Sequence, residues 1–221
     1  GKALLDYEVH PGTVLYLALE DDFQRIQSRM FMMYGVNDTD RLHFATAAGK
    51  IGNGLDEQLE NFVLEHPDTR LIIIDTMQKI REIGGEAYSY ASDYDIIGKL
   101  KQFADKHCIC VLTVHHTRKQ PAGDSFEMIS GTTGLLGCAD GSLLMQKKKR
   151  TALEASIDVV GRDQQDQILY LKKDADTQIW NLEKVENELH KELPDHVLEA
   201  VAGLLSAEHP IWTGSPSELA D

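Results

Sequence analysis

Acidic residues follow two apolar segments of the sequence, and their spacing suits phosphoryl-transfer chemistry. Glu20 and Asp21 come directly after the segment TVLYLAL, whereas Asp75 and Thr76 come directly after LIII. In an open α/β sheet, ligands bind at the carboxyl ends of the strands, so these side chains would share one edge if the two strands are neighbours. One carboxylate on Mg²⁺ and a second that positions water is the arrangement that phosphoryl transfer requires.

Helix capping is the alternative role for these carboxylates. Aspartates at strand ends often cap the helix that follows, and Asp21 or Asp22 is expected to cap a helix that begins at Phe23. That assignment leaves Glu20 available for chemistry. For Asp75, the metal role and the capping role stay open.

Two adjacent histidines, His115 and His116, end a third apolar segment, CICVLTV. Neighbouring side chains on a strand point to opposite faces, so we expect one imidazole in the core and one at the ligand edge. Adjacent histidines are poor co-ligands for one zinc ion, and no Cys or His stands at zinc spacing. A neutral imidazole that senses a γ-phosphate is the functional hypothesis, and a purely structural histidine is the alternative for one of the two.

Basic residues mark two further candidate sites. Arg118 and Lys119 open a polar loop that leads to the glycine-rich segment at 131–137, and they could grip the backbone of single-stranded DNA. That glycine-rich segment lacks the Lys-Ser/Thr ending of a phosphate-binding loop. Arg162 follows the apolar pair Val159–Val160 at a predicted strand end, where an arginine can act on a neighbouring subunit's nucleotide. A solvated loop and a simple β-turn are the respective alternatives.

The elements that must position these residues alternate between strand and helix in the first half of the chain. Continuous apolar strands separated by amphipathic helices are typical of a parallel sheet that helices cover on both faces. The sequence therefore predicts an α/β fold, with strands at 13–19, 41–45, 70–75 and 108–114 and helices at 23–34, 55–65 and 93–107.

The pattern changes after Ala139. Short strand candidates without intervening helices predict an antiparallel meander that extends the sheet edge, at 142–146, 152–160, 167–173 and 179–182. A helical region is expected at 186–207. We therefore divide the chain into a core, residues 1–184, and a helical extension with the start of another module, residues 185–221.

The composition of the chain argues against several classes of protein. The 221 residues include 22 Lys and Arg against 36 Asp and Glu, a net charge of −14, which argues against a surface generally coated for nucleic acid. Lys147–Arg150 is one local basic cluster. Three cysteines cannot all pair, and Cys108 and Cys110 are expected to be reduced core residues of a cytoplasmic protein. No apolar run is long enough to span a membrane.

Five sequence segments together resemble the RecA-like ATPases of the plasmid and phage RepA type, which are hexameric replicative helicases. The segments are LYLALED, RLIIIDT, VLTVHHT, SGTTGLLGCAD and VVGRD, and the resemblance covers Tyr7 to Leu182. It implies a RecA-like core that uses ATP and Mg²⁺, binds single-stranded DNA and assembles as a homo-hexamer.

The resemblance also implies roles for individual residues. Glu20 matches the glutamate that polarises the attacking water, Asp75 matches the Walker B aspartate on Mg²⁺, and Arg162 matches the arginine finger. His115 and His116 match the residues that couple the γ-phosphate to the DNA-binding loop. Asp21 and Thr76, which adjoin the two carboxylates, are assigned to cofactor binding.

The Walker A segment of such ATPases has no counterpart in this sequence. Gly1–Lys2 is followed by Ala3 rather than Ser or Thr, and the chain begins without Met. We therefore expect a piece of a longer protein that by itself does not hydrolyse ATP. A non-catalytic RecA-like scaffold or recombination mediator is the alternative function, and a metal-dependent nuclease built on Glu20 and Asp75 is a further one.

Overall fold

A computed structural model describes residue 5 and residues 7–35, 39–81, 90–117 and 138–187, with only the backbone described at 90–93. The chain divides into two compact units, residues 1–185 and residues 186–221. The elements, in chain order, are β1 (Thr13–Ala18), α1 (Phe23–Tyr34), β2 (Leu42–Ala45), α2 (Leu55–Glu65), β3 (Thr69–Asp75), α3 (Met77–Ile80), α4 (Tyr90–His107), β4 (Cys110–Val114), β5 (Gly141–Gln146), β6 (Glu154–Gly161), β7 (Gln167–Lys173) and β8 (Trp180–Asn187).

The first four strands form a parallel sheet in the order β2-β1-β3-β4. The two central strands are the apolar ones because helices bury both of their faces. Ile72 and Ile74 of β3 are fully buried. Their main packing partners come from the helices and from β1, and the cluster comprises Leu15, Leu17, Ile51, Leu55, Leu59, Met77, Ile80, Ile96 and Leu100.

Local signals in the sequence set the ends of α1. The side chain of Asp22 accepts a hydrogen bond of 2.8 Å from the backbone N–H of Arg25, so Asp22 is the N-cap. Gly35 ends the helix in the left-handed conformation, with φ of 68°, which glycine adopts without steric cost. The expectation that Asp21 or Asp22 caps this helix is confirmed.

The remaining four strands form a second, antiparallel sheet in the order β5-β6-β7-β8. Val159, Leu169 and Leu171 form its buried cluster, and Trp180 packs against them. The predicted α/β fold with an antiparallel meander is confirmed. The meander does not extend the edge of the parallel sheet as predicted, however, because in the described part of the chain its four strands pair only with one another and form a separate sheet. None of the described helices is long and apolar enough to cross a lipid bilayer.

The structure corrects two further expectations. Cys108 and Cys110 are exposed rather than buried in the core. Cys108 lies in the turn between α4 and β4, with φ of 53°, and Cys110 is the first residue of β4, the last strand in the order of the parallel sheet. Glu186 and Asn187 belong to β8 rather than to a helix. The rest of that predicted helix lies outside the described residues, and the division at residue 184 into functional modules stays a prediction.

Candidate active site

Three strands of the parallel sheet end side by side. Asp75 of β3 lies opposite Ala18 of β1 on one side and opposite Val114 of β4 on the other. The backbone N–H of Leu19 also donates a hydrogen bond of 2.7 Å to the carbonyl oxygen of Asp75. Because β1 and β3 are neighbours, the residues that follow all three strands share the carboxyl edge of the sheet, as the sequence predicts.

Glu20 lies at the centre of this edge. Its Oε1 accepts a hydrogen bond of 3.0 Å from Oγ1 of Thr76, and its Oε2 lies 3.8 Å from Nε2 of His116. Thr76 is buried, whereas the side chain of Glu20 is 42% exposed. A buried hydroxyl therefore fixes one carboxylate oxygen, and the other faces an exposed imidazole and water.

Asp75 is held by Tyr16, which no motif in the sequence marks. The hydroxyl of Tyr16 donates a hydrogen bond of 2.8 Å to Oδ2 of Asp75, and both side chains are partly buried. Burial, followed by the hydrogen bond to Asp75 and its charge, raises the pKa of Tyr16 to about 12. The phenol therefore remains a donor at physiological pH. The sequence hints at this contact only through a tyrosine, whose ring ends in a polar hydroxyl, within an otherwise apolar strand.

The capping alternative for Asp75 is not supported. Thr76, not Asp75, occupies the N-cap position of α3, and it makes no side-chain capping hydrogen bond. Oδ1 of Asp75 has no hydrogen bond within the described part of the chain. One carboxylate oxygen of Asp75 is thus oriented by Tyr16.

The carboxylate of Asp21 forms ion pairs with the helix that follows it, α1. Its two carboxylate oxygens each lie 2.9 Å from a guanidinium, one of Arg25 and one of Arg29, and its side chain is only 13% exposed. These ion pairs tie the start of α1 to the end of β1. A cofactor-binding role for Asp21 stays a prediction, and it would require these pairs to open.

The two histidines differ in exposure as expected. Both ring nitrogens of His115 are buried, whereas the side chain of His116 is 70% exposed. His116 is therefore the imidazole at the ligand edge. Arg118 and Lys119, as well as the glycine-rich segment at 131–137, lie outside the described residues.

Arg162 lies at one end of the second sheet, beside Asp140. Its backbone N–H donates a hydrogen bond of 2.9 Å to the carbonyl oxygen of Asp140, and its guanidinium lies 3.6 Å from Oδ1 of Asp140. Oδ2 of Asp140 lies 2.7 Å from Nζ of Lys101 on α4. The Lys101 hydrogen bond holds the pKa of the Asp140 carboxyl below its usual range. No pattern in the sequence indicates this link between α4 and the second sheet.

The donors at the carboxyl edge fit a magnesium–nucleotide complex. In the described ranges, no group of three or more His, Cys, Asp or Glu side chains is arranged to hold a metal ion. Mg²⁺ is commonly bound through one or two carboxylates, with waters and substrate phosphates as its other ligands. Asp75 supplies a partly buried carboxylate of that kind, and the Thr76 that follows it holds the Glu20 carboxylate.

Solved structures share this architecture. One of them is an ATPase domain, which has a TM-score of 0.64 at 13% identity, with 78% of this chain and 75% of that chain covered. A DnaB-like replicative helicase, solved in a study of its interactions with primase, also gives 0.64 at 13% identity, over 77% of this chain. The RadB recombinase gives 0.51 at 13% identity, over 78% of this chain and 80% of that chain.

These likenesses show the fold alone, which is the RecA-like α/β fold, since an identity of 13% is too low to carry function. The chain spans about half (51%) of the DnaB-like helicase chain. No curated protein sequence matches this chain. In contrast, the AAA domain family matches residues 1–122, which include Glu20, Asp75 and both candidate histidines. That match covers more than half of the 221 residues, so the chain belongs to the AAA domain family.

Proposed function

We propose that this chain is the core of a RepA-type replicative helicase that hydrolyses ATP to move along single-stranded DNA. The observation that carries the proposal is the carboxyl edge of the parallel sheet, where Glu20 contacts Thr76 and His116 beside Asp75. Such an edge combines a water-positioning carboxylate with a metal-binding one, which is what phosphoryl transfer needs. The RecA-like fold and the family membership support it.

Glu20 positions the attacking water in this mechanism. Thr76 holds Oε1, so the carboxylate has a fixed orientation, while the exposed Oε2 can accept a hydrogen bond from water. A carboxylate in this position orients the water's lone pair toward the γ-phosphate and takes its proton as the bond forms. The buried threonine reduces the entropy lost when the reacting geometry is reached.

Asp75 would hold the Mg²⁺ of the bound ATP, while the Thr76 hydroxyl is engaged by Glu20. When bound, the ion neutralises charge on the phosphates and polarises the bond that breaks. Tyr16 keeps the Asp75 carboxylate in one orientation by donating to Oδ2.

His116 couples the site to DNA. Its imidazole lies 3.8 Å from the Glu20 carboxylate and can respond to the presence of the γ-phosphate there. His115 anchors the end of β4 with its buried ring. Arg118 and Lys119, which follow within three residues, bind the DNA backbone in this proposal. Movement of the histidine pair would thereby change the grip on the strand.

Arg162 completes the site of the adjacent subunit in a homo-hexamer. It projects from the end of β6 with its side chain 55% exposed, which suits a residue that acts on a neighbour's nucleotide. The protein would act in the cytoplasm, where replication takes place.

DNA-stimulated ATPase activity tests the proposal. The chain is assayed within a protein that supplies a Walker A segment, with Glu20→Gln as the variant and Glu57→Gln on the exposed side of α2 as the matched control. We expect Glu20→Gln to lower turnover by at least about 100-fold and the control to leave it unchanged. Turnover that Glu20→Gln does not change would contradict the proposal, and Mg²⁺-dependent DNA cutting without nucleotide would favour the nuclease instead. A protein with no turnover that still binds partners would favour the scaffold.

A further inference from the structure

The second sheet has one strongly basic end. Four consecutive basic residues, Lys147–Arg150, form the connection between β5 and β6, and these side chains are largely exposed. The backbone N–H of Lys173 donates a hydrogen bond of 2.7 Å to the carbonyl oxygen of Leu153, which brings the end of β7 to the same place. We call Lys147–Arg150, Lys172, Lys173 and Trp180 the basic end of the second sheet. It lies at the opposite end of β6 from Arg162.

An indole ring lies at the centre of this basic end. Nζ of Lys147 is 5.6 Å from the centroid of the Trp180 ring, and Nζ of Lys173 is 5.7 Å from it. The negative face of an aromatic ring attracts ammonium groups at such distances. Trp180 packs against the buried cluster of the sheet on one side and is only partly buried, so the sheet fixes the ring beside the two cations.

The two lysines beside the ring lack acidic partners in the described part of the chain, although the whole chain carries a net charge of −14. Within the described residues, neither Lys147 nor Lys173 lies within 4.0 Å of a carboxylate, and Nζ of Lys147 donates to the carbonyl oxygen of Arg150. Lys172, in contrast, has an acidic partner, Glu183 at 3.7 Å.

The carboxylate at the adjacent β7–β8 turn is engaged within the turn. Asp174 accepts hydrogen bonds from the backbone N–H groups of Asp176 and Thr177 and from the Thr177 hydroxyl. These bonds, led by the one from the Thr177 backbone, hold the pKa of Asp174 below its usual range. Six basic side chains at this end thus outnumber the carboxylates of Glu154, Asp174 and Glu183, and the excess positive charge favours the binding of an anion.

We propose that the basic end of the second sheet is a binding site for single-stranded nucleic acid, separate from the loop at Arg118 and Lys119. The ammonium groups match a row of phosphates, and an unpaired base can stack on the Trp180 ring when the two lysines turn from the ring to those phosphates. Proteins that bind single strands without sequence preference combine these two features, a basic track and an aromatic stacking surface. An acidic peptide would use the charges but not the ring, and a duplex would not expose its bases.

The proposed function and this site share one kind of partner, single-stranded nucleic acid, but binding at this site does not require ATP hydrolysis. Binding of a fluorescent oligothymidylate of about 20 nucleotides, measured by anisotropy without nucleotide, is therefore the test. The variant is Lys147→Ala/Lys148→Ala/Lys149→Ala in the full chain. The matched control, Lys79→Ala/Lys99→Ala/Lys106→Ala, removes the same charge from the parallel-sheet half.

We expect the triple variant of residues 147–149 to bind at least about tenfold more weakly and to lose about two units of the salt slope. The control triple should change affinity by less than about threefold, since long-range charge effects are screened. Equal weakening in both triples would show a response to net charge alone and would overturn the proposal. A duplex of the same length that bound as tightly as the single strand would also overturn it.

Trp180 provides a direct readout because the chain has two tryptophans, Trp180 and Trp212. In a Trp212→Phe background, the oligothymidylate should quench the Trp180 emission, whereas an abasic strand of equal length or poly-glutamate should not. The quench should persist in Arg118→Ala/Lys119→Ala, which separates this site from the proposed loop and from the ATPase. Quenching by poly-glutamate, or a quench that only the loop variant abolishes, would overturn the proposal.

Discussion

The hydroxyl of Tyr16 joins β1 to the Asp75 carboxylate of β3 through a hydrogen bond of 2.8 Å. Tyr16 lies opposite Ile73 in the parallel register, so it shares a face with Asp75, two residues further along. The contact orients the candidate magnesium ligand from the neighbouring strand. It has measurable consequences because Tyr16→Phe removes only the hydroxyl.

Tyr16→Phe should lower the free energy of unfolding by about 1–2 kcal/mol at neutral pH, as expected for a partly buried hydrogen bond to a charged acceptor. Urea unfolding of both proteins measures the difference. Tyr34→Phe, on the exposed part of α1, is the matched control and should be neutral. A Tyr16→Phe protein as stable as the unchanged chain would show that the hydrogen bond adds nothing to stability.

The Tyr16 hydroxyl should also make the free energy of unfolding depend on pH. The pKa of Tyr16 rises from 10.0 to about 12 on folding, so the unfolded chain loses this proton first. Its contribution to stability is therefore fully present below pH 10 and declines as the pH rises to about 12. Between these values the unchanged protein should lose stability more steeply than Tyr16→Phe. Parallel pH curves for the two proteins would contradict this assignment.

Substitutions of Glu20 and of Asp75 should have different effects on nucleotide binding and turnover. Asp75→Asn should weaken binding of magnesium–nucleotide, because it removes a charged metal ligand, whereas Glu20→Gln should retain binding and lose turnover. Titration with a fluorescent ATP analogue, together with steady-state kinetics in a protein that includes a Walker A segment, distinguishes them. Equal loss of binding in both variants would show that the roles are assigned wrongly.

Thr76 should affect turnover through the orientation of Glu20. Thr76→Val keeps the buried shape but removes the donor to Oε1, so we expect kcat to fall about tenfold with little change in KM. Thr76→Ser keeps the donor and should restore most of the rate. If Ser and Val were equally impaired, the effect would come from packing rather than from the hydrogen bond.

Arg162→Ala should bind ATP normally, still assemble and hydrolyse ATP at least about 1,000-fold more slowly, if it acts on a neighbour's nucleotide. Mixing Arg162→Ala with Glu20→Gln tests whether the arginine acts between subunits. In a mixed ring, some interfaces combine an intact Glu20 of one subunit with an intact Arg162 of the next. Partial recovery of turnover is the expected result. A mixture that co-assembles but remains inactive would leave Arg162 as a turn residue bound to Asp140.

The sequence predicts the parallel sheet well because its strands are strongly apolar and its helix ends carry local signals. α1 and α2 begin and end at the predicted residues, and Asp22 is the cap. The shared edge of Glu20 and Asp75 also follows from topology rules. By contrast, the prediction for Cys108 is wrong, since apolar composition does not distinguish the first residue of a strand from the turn before it.

Side-chain contacts between distant segments cannot be predicted from the sequence. The bond from Tyr16 to Asp75 depends on strand register, and the contact of Lys101 with Asp140 joins residues that are 39 positions apart. Neither pair of residues produces a recognisable pattern in the local sequence. The lysines around Trp180 are visible in the sequence only as a run of like charge, because the turn geometry that brings Lys173 beside them is not encoded in their spacing.

The Asp140 carboxylate lies beside two cations, Lys101 and Arg162. If Arg162 turns toward another subunit, Lys101 stays 2.7 Å from the Asp140 carboxylate, so no bare anion is left behind. The backbone hydrogen bond from the Arg162 N–H to the Asp140 carbonyl oxygen can persist during such a change, and the main chain keeps its position while the guanidinium exchanges partners. Asp140 therefore stays paired with Lys101 whether or not the Arg162 side chain moves.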